Sequence, residues 1–183
     1  MTPSPARAAS SCSPENRESA RPVTARELSA QAEQRGAQVF WGWCYEDGGA
    51  PPYWPWLQPI RSYVQQAETE RLRSEMGAGA ADIAEVLHEV SSKLPGVPKP
   101  PALEPEQARF RLFDSITNFF KTAAQSRPLV IVLDDLQWSD RSSLRLLEFL
   151  AKEITSSRLL LVDTYRDVEV SGGAILCHRP LAP

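Results

Sequence analysis

Leu129-Val130-Ile131-Val132-Leu133-Asp134-Asp135 runs an unbroken apolar segment straight into two acids. Three of its five apolar residues are β-branched, and none alternates with a polar one. A half-buried strand would alternate. A continuous run is what a strand covered on both faces requires, and such strands belong to parallel sheets flanked by helices. The carboxyl ends of parallel strands open onto the ligand crevice of an α/β fold. A carboxylate at that end can hold Mg²⁺, usually through water, because Mg²⁺ dehydrates reluctantly. A second carboxylate can polarise an attacking water. Asp134 suits the first role and Asp135 the second. A solvated strand end whose acids flank a helix N-terminus would carry the same residues.

The flanking sequence reads as alternating helices and strands. Downstream, Ser139 or Asp140 can cap a helix over 141–154, with Leu144, Leu147, Leu150 and Ile154 on its core face. A third strand reads over 158–164. Upstream, Pro105 suits a first helical turn. The helix it opens, 106–125, carries Phe110, Phe113, Ile116 and Phe120 at helical spacing. Five prolines within 95–105 demand an irregular connection. Further helices read over 81–94, through Ile83, Leu87 and Val90, and over 57–73, through Leu57, Ile60, Val64 and Ala67. A Gly/Pro-rich aromatic loop occupies 45–59, after a short strand at 38–43. Thr24 and Glu27 form a T-x-x-E capping box for a helix over 25–35 that Gly36 stops. This order argues a parallel α/β sheet.

Composition narrows the function classes. The 183 residues are 42% hydrophobic and carry 20 basic against 23 acidic side chains, a net charge of −3. That balance argues against a dedicated nucleic-acid binder, so no direct nucleic-acid binding is expected. No apolar run is long enough to span a bilayer, and no basic region followed by an apolar stretch opens the chain. A cytoplasmic location is the default expectation. Cys12, Cys44 and Cys177 form no CxxC pair, which argues against a disulfide framework and a zinc site. His88 and His178 have no ligand-spaced partners. Tyr53, Trp54 and Trp56 lie near Glu46 and Asp47, an acidic setting that favours packing on the domain over base stacking. Residues 1–22, rich in Ser, Pro, Ala and Arg, read as a disordered N-terminal segment.

The apolar strand ending in acids is the Walker B pattern. Its surroundings, 134–144 (DDLQWSDRSSL) and 147–150 (LEFL), resemble the ATPase module of large bacterial signalling ATPases. These are the AAA-like, STAND-class modules of LuxR/MalT-type regulators and multidomain nucleotide cyclases. The segment 107–114 (QARFRLFD) is similar to the helix that precedes Walker B there. The segments 41–46 (WGWCYE) and 50–56 (APPYWPW) resemble the second strand and following loop, and 159–167 (LLLVDTYRD) the sensor strand. The resemblance covers about 24–170. It implies a P-loop ATPase sheet of order 5-1-4-3-2, with ATP and Mg²⁺ as cofactors. It implies Asp134 as the Mg²⁺ residue, Asp135 as the water-orienting acid and Arg166 as the sensor arginine meeting the terminal phosphate. A guanidinium suits that task because it grips phosphate oxygens bidentately. Without the resemblance, Arg166 would read as a surface residue paired with Asp167.

One part of that pattern is missing. A phosphate-binding G-x-x-x-x-G-K-[ST] loop belongs before the helix entered at Thr24, where its amides and lysine would hold the phosphates. That position reads Ser19-Ala20-Arg21-Pro22-Val23, with no glycine before Gly36 and no lysine before Lys93. Pro22 also removes an amide donor. Asp163 is a smaller departure, where the family usually has a small residue. A buried carboxylate there is costly unless paired. The expected fold is therefore α/β, a partial P-loop NTPase three-layer sandwich whose parallel sheet retains strands 2-3-4 and lacks the first strand and P-loop. The expected division is a disordered segment 1–22, a truncated AAA-type ATPase domain 23–170 and an unpatterned tail 171–183. Both ends of the similarity stop abruptly, as in a fragment of a larger gene product. The strand 158–164 would then be an apolar edge with no strand in the tail to cover it. Such an edge points to self-association or a protein partner. ATP binding is expected to be impaired, with a non-catalytic remnant or interaction fragment as the alternative. A two-carboxylate metal hydrolase would need further ligands that the spacing does not supply.

Overall fold

The structure, a computed structural model, describes residues 23–46, 49–166 and 173–178. The expected disorder of 1–22 lies outside the described residues.

Strand β2, Leu129–Asp134, is buried along its whole length. It sits between β1, Gln38–Trp43, and β3, Leu159–Arg166, and pairs with both in parallel. Side chains alternate across the sheet and feed two cores. Leu129, Ile131, Leu133, Leu159 and Leu161 join the large one, together with Ile116, Phe119, Phe120, Leu146 and Leu150. Val130, Val132 and Val162 join a smaller one with Ala25 and Ala37, under the first helix. An unbroken apolar run is thus explained by helices on both faces. The three-layer α/β sandwich with its parallel order β1-β2-β3 is as the sequence led one to expect.

The first helix, α1, spans Val23–Gln34. It starts upstream of the expected point, so Thr24 lies inside it rather than capping it. Gly36 follows with φ +85, a left-handed turn that only glycine adopts freely, and its N–H donates to the Glu33 carbonyl. The other helices among the described residues lie on the large-core face. They are α2 (Trp54–Gln66), α3 (Thr69–Met76), α4 (Ala80–Val86), α5 (His88–Lys93), α6 (Pro105–Ser126) and α7 (Arg141–Glu153).

Several boundaries differ from the sequence reading. Trp54 and Trp56 are not in a loop: α2 begins at Trp54, with Pro55 in its first turn. Trp56 is fully buried and donates from Nε1 to the Ser143 carbonyl at 3.1 Å. The helix expected over 57–73 breaks at Ala67, which is extended (φ −72, ψ 145), and resumes as α3. The helix expected over 81–94 breaks at Leu87 (φ −136, ψ 93) between α4 and α5. Two residues assigned to the core face outward. Phe110 is 62% exposed, although its ring meets Phe149 edge-on at 5.5 Å, and Leu144 is 39% exposed. In their helices Phe119 and Leu146 take the inner positions, both fully buried.

The tail corrects a further expectation. Gly173–His178 forms a fourth strand, β4, antiparallel to β3 from Leu161 to Arg166. The β3 edge is therefore covered, not open. In the order 5-1-4-3-2 implied by the resemblance, β1, β2 and β3 correspond to strands 2, 3 and 4. The β4 strand then lies on the side where strand 1 is expected.

Candidate functional site

Asp134 ends β2 and is 9% exposed, at the carboxyl edge of the sheet. In the β1 register its neighbour is Trp43. On the other side lies Thr164 of β3, 2% exposed, whose Oγ1 donates to Asp134 Oδ1. A hydroxyl bonded to a carboxylate in a site this dry is a strong, charge-assisted contact. The Asp134 carbonyl also accepts the Cys44 N–H at 3.0 Å, which ties the loop after β1 to the same point.

Asp135 follows in a left-handed conformation, φ 58 and ψ 46. Aspartate is among the few non-glycine residues that visit this region. The turn lifts the chain out of the strand into a short 3₁₀ segment, Leu136–Trp138. Asp135 is held at both ends. Its N–H donates to Thr164 Oγ1 at 3.2 Å, and its Oδ1 accepts Gln137 Nε2 at 3.1 Å. One hydroxyl, that of Thr164, thus joins both acids.

Asp140 is committed elsewhere. It is the N-cap of α7, accepting the N–H groups of Ser142 at 2.9 Å and Ser143 at 3.0 Å on Oδ1, and the Ser143 hydroxyl on Oδ2. Of the two caps the sequence allowed, Asp140 is the one used. Cys44 lies buried beside this acidic group. Burial pushes its thiol from 9.0 up to about 11; the Ser139 hydroxyl opposes that shift, and the charges of Asp140, Asp135 and Asp134 add to it. A thiol held protonated is neither a nucleophile nor a metal ligand at neutral pH.

The donor chemistry is all hard oxygen. Among the described residues no group of three or more His, Cys, Asp or Glu side chains is gathered to hold a metal. A pair of carboxylates suits Mg²⁺, which keeps several waters and takes one or two carboxylates.

A family model for the AAA ATPase domain matches residues 23–162. The chain belongs to the AAA ATPase domain family. No curated protein and no solved structure matches it. The described fold is accordingly that of a partial P-loop NTPase sandwich, and ATP with Mg²⁺ is the ligand pair such domains generally bind.

Of the three residues singled out in this AAA domain, the structure brings two together, Asp134 and Asp135. The third, Arg166, is the last residue of β3, and its side chain lies outside the described residues. Sequence reasoning missed Thr164. Its position two residues before Arg166 was visible, but the register that sets it beside Asp134 was not. Asp163 is 1% exposed, as the apolar strand around it implied. No helix among the described residues is long and apolar enough to cross a membrane.

Proposed function

We propose that this chain is an AAA-type regulatory domain of the kind used by large bacterial signalling ATPases, in which the cation-holding half of the nucleotide site is kept and ATP binding is impaired. The observation that carries the reading is the acid pair. Asp134 and Asp135 end a buried parallel strand and are fixed by a shared hydroxyl. In this reading Asp134 holds a hydrated Mg²⁺ and Asp135 faces the water that would attack the terminal phosphate. Arg166 would meet that phosphate from β3. Mg²⁺, when bound, supplies charge neutralisation of phosphate oxygens.

The impairment follows from chemistry. Phosphoryl transfer depends almost wholly on positioning and electrostatic stabilisation. The loop that supplies most of both has no counterpart in the 183 residues. The alternative reading, an interaction module working through the β3 edge, is less favoured, because β4 would first have to leave that edge.

Phosphate release from millimolar Mg·ATP should remain at the level of the Asp135→Asn variant. Turnover by the wild-type chain that Asp135→Asn removes would contradict the proposal.

A further inference from the structure

We propose that the groove between the proline-rich connection and α6 binds a small amphipathic carboxylate, a molecule with an apolar body and one anionic end. The site is separate from the acid pair that ends β2 and does not depend on the reading given to it. The groove encloses about 490 Å³, within the roughly 300–1,000 Å³ usual for small-ligand pockets. Its walls come from segments far apart in the chain. The connection supplies residues 99–103, α4 supplies Asp82, Glu85 and Val86, and α6 supplies Ala108, Arg109, Arg111 and Leu112. Tyr53, the N-cap of α2, also lines it.

The groove is built ahead of any ligand. Arg111 Nη2 donates to the Pro101 carbonyl at 3.2 Å, and its Nε lies 2.7 Å from Asp82 Oδ1. The Ser115 hydroxyl donates to the other Asp82 oxygen at 2.8 Å. The connection is thus tied to α6, and α6 to α4. Pro98, Pro100 and Pro101 fix their own φ and restrict the residue before each, so the connection has little freedom to sink into the space beneath it. Tyr53 is left-handed, φ 66 and ψ 12. Such a conformation is costly for a bulky residue and persists only where the surroundings impose it. Here its ring meets Phe113 edge-on at 5.9 Å and at the same time lines the groove.

Charge selects the occupant. Asp82 and Arg111 face one another, so their charges offset. Of the remaining lining residues Lys99 and Arg109 are cationic and Glu85 is acidic. Lys99 makes no ion pair among the described residues. Arg109 makes a long one, 3.8 Å to a Glu106 side chain that is 89% exposed, and such a pair contributes little. Two cations with weak or no partners beside Val86, Pro100, Leu103 and Leu112 suit an apolar chain that carries a carboxylate. A second copy of the domain fits less well. Leu103 is the one large exposed hydrophobe of the lining among the described residues, whereas a stable interface buries about 800 Å² on each partner.

The probe is decanoate, with decanol as its uncharged counterpart, titrated calorimetrically into the full chain. Wild type should bind decanoate saturably, one to one, and decanol about 10-fold more weakly, the loss expected when a charge-assisted hydrogen bond is removed. The double variant Lys99→Gln, Arg109→Gln should weaken decanoate by about 10-fold and leave decanol unchanged. Ala108→Phe, which fills the groove, should abolish binding of both. Leu144→Asp, at an exposed apolar position on α7 outside the groove, should change neither. Melting temperatures of the variants, read without ligand, separate lost binding from lost folding. Should Ala108→Phe fail to fold, Leu103→Asp decides; it lies at an exposed position and should weaken decanoate at least about 10-fold. Absence of saturable binding to wild type at millimolar decanoate overturns the proposal. So does undiminished binding by a folded Ala108→Phe or Leu103→Asp chain, or a loss in Leu144→Asp equal to theirs. Equal affinity for decanol and decanoate overturns the assignment of a carboxylate. A dimer that Leu103→Asp dissociates, with no decanoate binding, would give the groove to a second copy instead.

Discussion

Cys44 shows how closely the acidic end of the sheet is packed. Its N–H is bonded to the Asp134 carbonyl, and its thiol is held near 11 by burial and neighbouring carboxylates against an ordinary 9.0. A thiol pKa raised by folding contributes stability that is fully present below 9.0. That stability is lost as pH rises through about 11, because the unfolded chain ionises first. Urea unfolding from pH 8 to 11 should therefore show a steeper decline for wild type than for Cys44→Ala. Identical slopes for the two proteins would contradict the assignment. The place of the acids was legible in the sequence, because an unbroken apolar run fixes β2 and puts Asp134 and Asp135 at its carboxyl end. Thr164 was not, because strand register is a property of two segments and a single sequence prints only one at a time.

At the scale of elements, β1 and α2 meet more closely than any pattern suggested. A Cβ built on Gly42 would lie 1.8 Å from the Pro55 carbonyl oxygen and 2.8 Å from its carbon. Both obstacles are backbone, so neither can swing aside. Gly42→Ala should therefore destabilise the domain by about 3 kcal/mol or prevent its folding, the upper range for overpacking a rigid site. Chemical denaturation would measure this, and a change under 1 kcal/mol would show that α2 can move off the strand. The same contact explains why the aromatic segment was misread as a loop. Pro51, Pro52 and Pro55 look like breakers, yet Pro55 sits in the first turn of α2, where a missing N–H costs nothing. The position of β2 was read well because continuous burial leaves little choice. Helix faces were read less well. Leu144 and Phe110 have the right spacing, but the rotation of α6 and α7 about their axes is decided by Phe119 and Leu146 against the sheet.

For the whole molecule, the parallel order β1-β2-β3 followed from helices alternating with strands, and the structure has it. The tail strand was not legible: the sequence of Gly173–His178 has an apolar centre, but only a neighbouring edge makes it a strand. That edge is β3, which pairs with β4 from Leu161 to Arg166.

The central claim is that this AAA domain keeps its cation-holding acids and does not hold ATP well. A thermal-shift titration with Mg·ATP, against Mg²⁺ alone at equal concentration, tests it most directly. A ligand at 100 times its Kd would stabilise the native state by about 2.7 kcal/mol, several degrees for a domain of this size. The account predicts no ATP-dependent rise up to millimolar nucleotide. A saturating rise with a midpoint well below millimolar would contradict it.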